Sequence, residues 1–394
     1  MEESTLDSKN IESFLKNSFV LLGSTGSIGV NALKVISAFD KKIEALSAGS
    51  NIDLLNRQIS LYNPSLVCIA NKWDLARLEA RGAKVFVGEE GLLEMLSLAK
   101  SRCVINAISG FAGLHASLKT LDLDKSLILS NKESLVIAGS RLETSKIIPI
   151  DSEHFGLWYL LESLSTKKSS VSRLVITASG GALRDKSASE IMESKLKSVL
   201  AHPNWKMGAR ITIDSATMVN KLYEVLETYW LFKDINPKLK IDALIERSSS
   251  VHSLVELEDG SLLAHLASPD MKLPLSFGIA GKEAFEKPII KKLDLKDLLK
   301  IDFRDIDCDL YPLWRYKDLL LEKPYLGAVL NASNEVAVEG FLNDNLPLKV
   351  ILDIVSFALE TFKDSKIGED LKDLLDLHKA AKDLAIKRLQ RHLA

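Results

Sequence analysis

Short unbroken apolar runs alternate with helix-length amphipathic segments over the first third of the chain. Phe19-Val20-Leu21-Leu22 reads as a buried strand, and the segment from Val30 onward carries apolar residues at helical spacing. Further strands are expected at 43–48, 66–70, 85–87, 104–108 and 126–130, with helices between them at positions such as 54–61 and 92–99. Strands buried on both faces show such continuous apolar runs, and their alternation with helices predicts an α/β fold with a Rossmann-like, doubly wound parallel sheet. Another buried run at 174–178 is placed in a central α/β domain. Between about 282 and 302 the chain becomes charged and loses strand character, which suggests a linker with its own short helix. A segment opening at Asn331-Ala332-Ser333-Asn334-Glu335 is apolar-periodic, and Leu371, Leu374, Leu375, His378, Ala381 and Ala385 also recur at helical spacing, so the last part reads as helical. The expected division is an extension over 1–17, a cofactor domain over 18–150, a catalytic domain over 151–281, a linker over 282–305 and a helical domain over 306–394.

The first strand runs into Gly23-Ser24-Thr25-Gly26-Ser27-Ile28-Gly29 and then a helix. Strand, glycine turn and helix in that order suit a dinucleotide, because glycines let backbone N–H groups approach a pyrophosphate at a helix N-terminus. The spacing is G-x-x-G-x-x-G rather than the commoner G-x-G-x-x-G, and the same pattern also serves as a simple tight turn. The second strand ends in Ser47-Ala48-Gly49-Ser50-Asn51, with no acid to grip a ribose 2′-hydroxyl. This leans toward NADP, although no Lys or Arg stands there either. Asn106 to Gly110 and Asn131-Lys132-Glu133-Ser134 follow other strands, where an open sheet presents ligand contacts; Lys132 and Glu133 could equally form a surface ion pair.

Composition narrows the class. With 394 residues the chain holds about two or three domains, and 51 basic against 53 acidic side chains leave a net charge of −2. No nucleic-acid or membrane partner is therefore expected, and anionic ligands must be held by local donors. The three cysteines form no paired spacing and read as buried hydrophobes in a reduced compartment. No apolar run approaches the ~18 residues that span a bilayer. The acids in the first seventeen residues are unlike a secretory signal or a transit peptide. A cytoplasmic protein of bacterial type is expected, with a plastid-like organelle as the alternative.

Chemistry begins at Ile150-Asp151-Ser152-Glu153-His154. In an extended segment Asp151 and Glu153 share one face and Ser152 the other, so two like charges either sit in solvent or hold a cation between them. Further along, Ser179-Gly180-Gly181 closes the run at 174–178 and offers a hydroxyl and amides to an anion. Residues 201–208, with Trp205 and Met207 between Pro203 and Gly208, read either as a lid over a flat ring or as a loop stapled to the core. Residues 214–224 read as one capped helix in which Asn220, Lys221 and Glu224 share a face. Together with Asp151 and Glu153, Glu224 makes three carboxylate ligands with open positions, the pattern of an Mg2+ or Mn2+ site. An ordinary surface pair is the alternative for Lys221 and Glu224. His252 is expected to hydrogen-bond within a strand.

These motifs, from Phe19 onward, resemble the 1-deoxy-D-xylulose 5-phosphate reductoisomerase family. The resemblance rests on the glycine turn, Asn131 to Ser134, Asp151 to His154, Ser179 to Gly181, His202-Pro203-Asn204-Trp205 with Met207-Gly208, and Asp214 to Thr217 with Asn220, Lys221 and Glu224. It implies NADPH contacts at Thr25, Gly26, Ser27, Ile28, Gly49, Ser50, Asn51, Asn131, Glu133 and Gly208. It implies metal ligands at Asp151, Glu153 and Glu224, for Mg2+ or Mn2+ with Co2+ as an alternative. Substrate and phosphate contacts are implied at Ser179, His202, Ser215, Asn220 and Lys221, with Lys132 and Ser152 near the reacting carbons and Trp205 on the lid. The implied reaction is rearrangement and reduction of 1-deoxy-D-xylulose 5-phosphate, a small phosphorylated sugar, to 2-C-methyl-D-erythritol 4-phosphate, by a homodimer. Ser50 departs from the family, where a basic residue is common. Two competing readings are another NADP-linked oxidoreductase, such as a semialdehyde or homoserine dehydrogenase, and a non-catalytic NADP-sensing protein. The first does not account for three carboxylates beside Ser, Asn and Lys donors, and cofactor binding alone does not separate these readings.

Overall fold

The computed structural model describes residues 17–200, 208–298, 301–344, 346–368 and 370–394. The expected N-terminal extension up to residue 16, and residues 201–207 of the expected lid with His202 and Trp205, lie outside the described residues. The chain divides into two compact units.

Of the described residues, the first unit comprises 17–134, 142–158 and 270–291. Its strands are β1 (Ser18–Leu22), β2 (Lys42–Ala48), β3 (Leu66–Ile69), β4 (Lys84–Val87), β5 (Cys103–Asn106), β6 (Ser126–Leu129) and β7 (Ile147–Pro149). They form one sheet in the order β4-β3-β2-β1-β5-β6-β7, and every pairing is parallel. Phe19, Val20, Leu21 and Leu22 are wholly buried, as a central strand covered on both faces must be. The strand order reverses between β1 and β5, so their carboxyl ends open the crevice where such sheets bind ligands. The helix Ser27–Ala38 buries Gly29, Ala32, Leu33, Val35 and Ile36 along one stripe. Residues 270–291, part of which was expected as linker, supply this unit with the helix Lys272–Ala280, where Phe277 packs 5.2 Å from the Phe155 ring. The charged stretch after it does hold the expected short helix, at Glu283–Glu286.

The second unit comprises residues 135–141, 159–269 and 292–394. A mixed sheet is built from β8 (Val171–Ala178), β9 (Lys240–Glu246), β10 (Val251–Leu257), β11 (Leu262–Leu266) and β12 (Phe303–Arg304), ordered β11-β10-β8-β9-β12. Only β8 and β9 run parallel. The strand β12 lies in the expected linker, just past the stretch that loses strand character; two exposed residues are too few to leave a periodic signal. The helices Leu326–Asn343, Lys349–Phe362 and Leu371–Leu393 complete the helical C-terminal region. The first of these begins five residues before Asn331, where the pattern placed its start. On the last, Leu374, Leu377, His378, Ala381 and Ala385 face inward.

Candidate active site

In the first unit the glycine turn is tightly packed against its neighbours. Gly23 has φ +75°, and a Cβ there would lie 2.6 Å from the Ala107 carbonyl oxygen; only glycine combines that angle with that approach. A Cβ on Gly29 would lie 2.3 Å from the Gly23 carbonyl oxygen, so its absence lets helix and turn meet. The turn is also pinned from outside. Ser24 N–H donates to the Ser47 carbonyl at 2.8 Å and Gly23 N–H to Ser47 Oγ at 3.1 Å. Gln58 donates to the Ser24 carbonyl at 2.8 Å and accepts from Ser24 Oγ at 2.7 Å. Sequence reading missed Gln58 and gave Ser47 no role; a buried polar residue on an otherwise apolar helix face is the one signal that could have marked Gln58. Thr25, Gly26, Ser27 and Ile28 remain accessible at the helix N-terminus, whose first-turn N–H groups have no intrahelical acceptor.

At the end of β2, Gly49, Ser50 and Asn51 are exposed, and Asn51 caps the helix Ile52–Tyr62 by accepting from Leu54 N–H at 3.2 Å. Asn131, for which the resemblance implies an NADPH contact, is also engaged by the protein itself. It is 1% exposed, its amide donates to the carbonyls of Ile108 (2.8 Å) and Gly110 (2.9 Å) and to Glu133 Oε2 (2.9 Å), and its oxygen accepts from Ser134 N–H at 3.0 Å. The Asn131 side chain therefore braces the loop after β5. Glu133 does the same, accepting from Gly110 N–H at 2.9 Å.

The acidic triplet is not extended. Pro149 ends β7, and Asp151 sits at the N-terminus of the helix Ser152–Leu164, its carbonyl accepting from Phe155 N–H at 2.8 Å and its Oδ1 from Ser152 N–H at 3.1 Å. The two-face strand reading fails for this reason: an Asp followed by an acidic first turn is a helix start. At about 100° per residue Ser152 and Glu153 are neighbours on the first turn, and Ser152 Oγ donates to Glu153 Oε2 at 2.6 Å. Ser152 is thus on the rim of the carboxylates and not on the far face. The Lys132 ammonium pairs with Asp151, and the fully buried His154 lies 3.8 Å from the same carboxylate.

In the second unit, β8 is followed by Ser179 and then by Gly180 and Gly181 at φ +83° and +70°. A Cβ on Gly181 would lie 2.8 Å from the Ser215 carbonyl oxygen, so this loop presses directly on the helix Ala209–Thr217. Burial pushes the Tyr311 phenol up to about 12, and as a neutral donor it holds the Gly180 carbonyl at 2.8 Å. Gly208, at the N-cap of the Ala209–Thr217 helix, is exposed.

The single helix expected over 214–224 is two. Met218, at φ +66°, breaks it, and a second helix runs Val219–Phe232. Asp214 is no cap: it is 6% exposed and accepts from Asn334 Nδ2 at 2.8 Å. The grouping of Asn220, Lys221 and Glu224 on one face stands. Lys221 and Glu224 are 3% and 1% exposed, the Lys221 ammonium binds both Glu224 and the Thr177 carbonyl, and Asn220 Nδ2 donates to Glu224. Such a buried carboxylate with both oxygens engaged is not the surface ion pair that remained open in the sequence. Ser215 is half-buried on the preceding helix. His252 Nε2–H donates to the Ala267 carbonyl at 3.1 Å, a hydrogen bond of the expected kind but to the residue just past β11, not within β10.

A parallel sheet with a glycine turn at its switch point in one unit, and in the other a mixed sheet with a buried carboxylate, point to a dinucleotide-dependent α/β enzyme. Three family models match in succession: 1-deoxy-D-xylulose 5-phosphate reductoisomerase over residues 19–139, the C-terminal domain of that enzyme over 147–232, and the DXP reductoisomerase C-terminal domain over 266–384. The chain belongs to the 1-deoxy-D-xylulose 5-phosphate reductoisomerase family. The relative from Helicobacter pylori strain G27 is 54% identical over 365 residues, covering 92% of this chain and 98% of its own. That from Wolinella succinogenes is 47% identical over 369 residues, covering 93% and 99%. A crystal structure of DOX-P reductoisomerase in complex with NADPH, fosmidomycin and magnesium matches with a TM-score of 0.86 at 32% identity, covering 95% of this chain and 98% of that one. The Zymomonas mobilis enzyme in complex with NADPH matches at 0.81 and 31%, covering 94% and 98%.

Proposed function

We propose that this chain carries out the NADPH- and divalent-metal-dependent rearrangement and reduction of 1-deoxy-D-xylulose 5-phosphate to 2-C-methyl-D-erythritol 4-phosphate, in non-mevalonate isoprenoid precursor biosynthesis. Family membership along almost the whole chain is the observation that carries the reaction. The donor chemistry supports the metal. Asp151 stands against the Lys132 ammonium and the nearly inaccessible Glu224 against that of Lys221, so both carboxylates sit where positive charge is already favoured. Asp151, Glu153 and Glu224 offer only hard oxygen donors, which fit Mg2+ or Mn2+. When bound, the ion supplies Lewis-acid polarisation of a carbonyl, and NADPH supplies the hydride.

The chain's own residues do the rest. The accessible turn from Thr25 to Ile28 receives the pyrophosphate, while Gly49, Ser50 and Asn51 line the ribose end. Asn131 and Glu133 contact the cofactor and also fix the loop after β5. Ser179, Ser215, Asn220 and Lys221 hold the substrate phosphate, which orients the sugar by binding energy remote from the reacting carbons. Lys132 and Ser152 stand beside the carboxylates that face those carbons. His202 and Trp205 are assigned to substrate contact and lid closure, and Gly208 to the cofactor. The same proposal includes the division into cofactor, catalytic and helical domains, a homodimer, and a cytoplasmic location; no helix among the described residues is long and apolar enough to cross a membrane.

The test is purified protein with 1-deoxy-D-xylulose 5-phosphate, NADPH and Mg2+, followed at the NADPH absorbance. Oxidation that stops on adding EDTA is expected, and a folded protein without turnover would overturn the proposal.

A further inference from the structure

The five residues that close β2, Ser47 to Asn51, contain no cation, yet a 2′-phosphate carries about two negative charges. The neighbouring strand supplies one. Ala70 N–H donates to the Ala48 carbonyl at 3.2 Å, so the chain leaves β2 and β3 from adjacent points on the carboxyl edge of the sheet. Ser50 lies two residues past that pair on one strand and Lys72 two residues past it on the other. Lys72 opens the 3-10 segment Lys72–Arg77, which is strapped to the helix Ile52–Tyr62 by Asn56: its amide donates to the Arg77 carbonyl at 2.8 Å, and its oxygen accepts from Glu79 N–H at 2.9 Å.

The charges on this edge leave Lys72 available. Arg77 bridges Asp53 at 3.3 Å and Asp74 at 3.2 Å, which offsets the two acids that would repel a phosphate. Among the described residues no carboxylate pairs with Lys72. Its ammonium instead lies 5.5 Å from the centroid of the Trp73 ring. Trp73 is 73% exposed, while Trp158 and Trp230 are half-buried and Trp314 is buried. An exposed indole with an uncommitted ammonium 5.5 Å from its ring, at the edge where the adenosine half of a dinucleotide ends, offers a ligand both a flat face and a positive charge.

We infer that Lys72, steadied by the Trp73 ring, is the cation that recognises the 2′-phosphate of NADPH in this chain. It compensates from β3 for the charge missing at Ser50, and Trp73 also flanks the adenine. The inference rests on the NADPH reading above, and its test separates the two. Lys72→Gln is expected to raise KM for NADPH about tenfold, the loss of one charge-assisted phosphate contact, with KM for NADH unchanged, so that the NADPH preference collapses. Lys72→Arg should restore it. Calorimetry with 2′,5′-ADP and ADP, which needs no turnover, should show the Lys72→Gln loss for 2′,5′-ADP alone, and Trp73→Ala should weaken 2′,5′-ADP as well. Equal losses for both nucleotides, or no loss for either, overturn the role of Lys72. Failure of the NADPH reading itself would show instead as wild-type protein that binds ADP and 2′,5′-ADP equally.

Discussion

Gly29→Ala isolates the cradle. The new Cβ would lie 2.3 Å from the Gly23 carbonyl oxygen and 2.6 Å from Ser24 Cα, both backbone atoms, so the approach is about 1 Å too close for ordinary contact. Neither partner yields easily. Gly23 is already at φ +75° against Ala107, and its carbonyl accepts from Gly26 N–H at 3.1 Å. Overpacking of this kind costs about 1–3 kcal/mol, which corresponds to roughly 2–10 °C in melting temperature. The opposing effect is the better helix propensity of alanine, worth about 1 kcal/mol. The sign of the change therefore discriminates: without the clash the variant melts higher, and with it the variant melts lower. Opening the turn by about 1 Å also displaces the amides of Thr25 to Ile28 and should weaken NADPH at least about tenfold. Thermal melting and a fluorescence titration with NADPH read both quantities. A variant that melts higher and binds NADPH like wild type refutes the reasoning.

Glu224→Gln keeps the shape of a buried side chain and removes its charge, so NADPH affinity should persist while kcat falls at least about a hundredfold, the loss of several kcal/mol of Lewis-acid stabilisation; activity near wild type removes Glu224 from the metal site. Burial pushes the His378 imidazole down to about 4, and it donates to Asn331 in its neutral form. Since its unfolded value is about 6.5, the unfolded chain binds the extra proton and stability falls as pH drops from about 6.5 to 4. His378→Gln should shrink the difference in unfolding free energy between pH 7 and pH 5 by roughly 2 kcal/mol, and an unchanged difference in denaturant titrations at the two pH values would contradict this assignment.

Local pattern made much of the molecule legible. The strands β1 to β6 announce themselves as apolar runs because both faces of a parallel sheet are covered, and the glycine turn is readable because its backbone angles and close approaches admit no other residue. Chemistry-bearing residue types were readable as a set, since three carboxylates among Ser, Asn and Lys donors match the hard-oxygen pattern of a divalent-metal site. Their settings were less so. Asp151 reads as part of an extended segment until the end of β7 at Pro149 and the hydrogen bond from Phe155 make it a helix start. The break at Met218 has no sequence signature, because a methionine enters the left-handed region only when the surrounding packing compensates for the strain.

The chain by itself determined most of its element types, its glycine turn and the set of residues proposed for its site, all of which follow from short-range periodicity and from the chemistry of single residues. Tertiary structure alone decided how those residues are held. Ser47 and Gln58 grip the glycine turn from β2 and the following helix, Asn131 spends its amide on a distant loop, and Asn334 of the C-terminal region takes the Asp214 carboxylate 120 positions away. Hydrogen bonds between residues so far apart in sequence depend on which strands and helices become neighbours, and no periodicity along the chain records that.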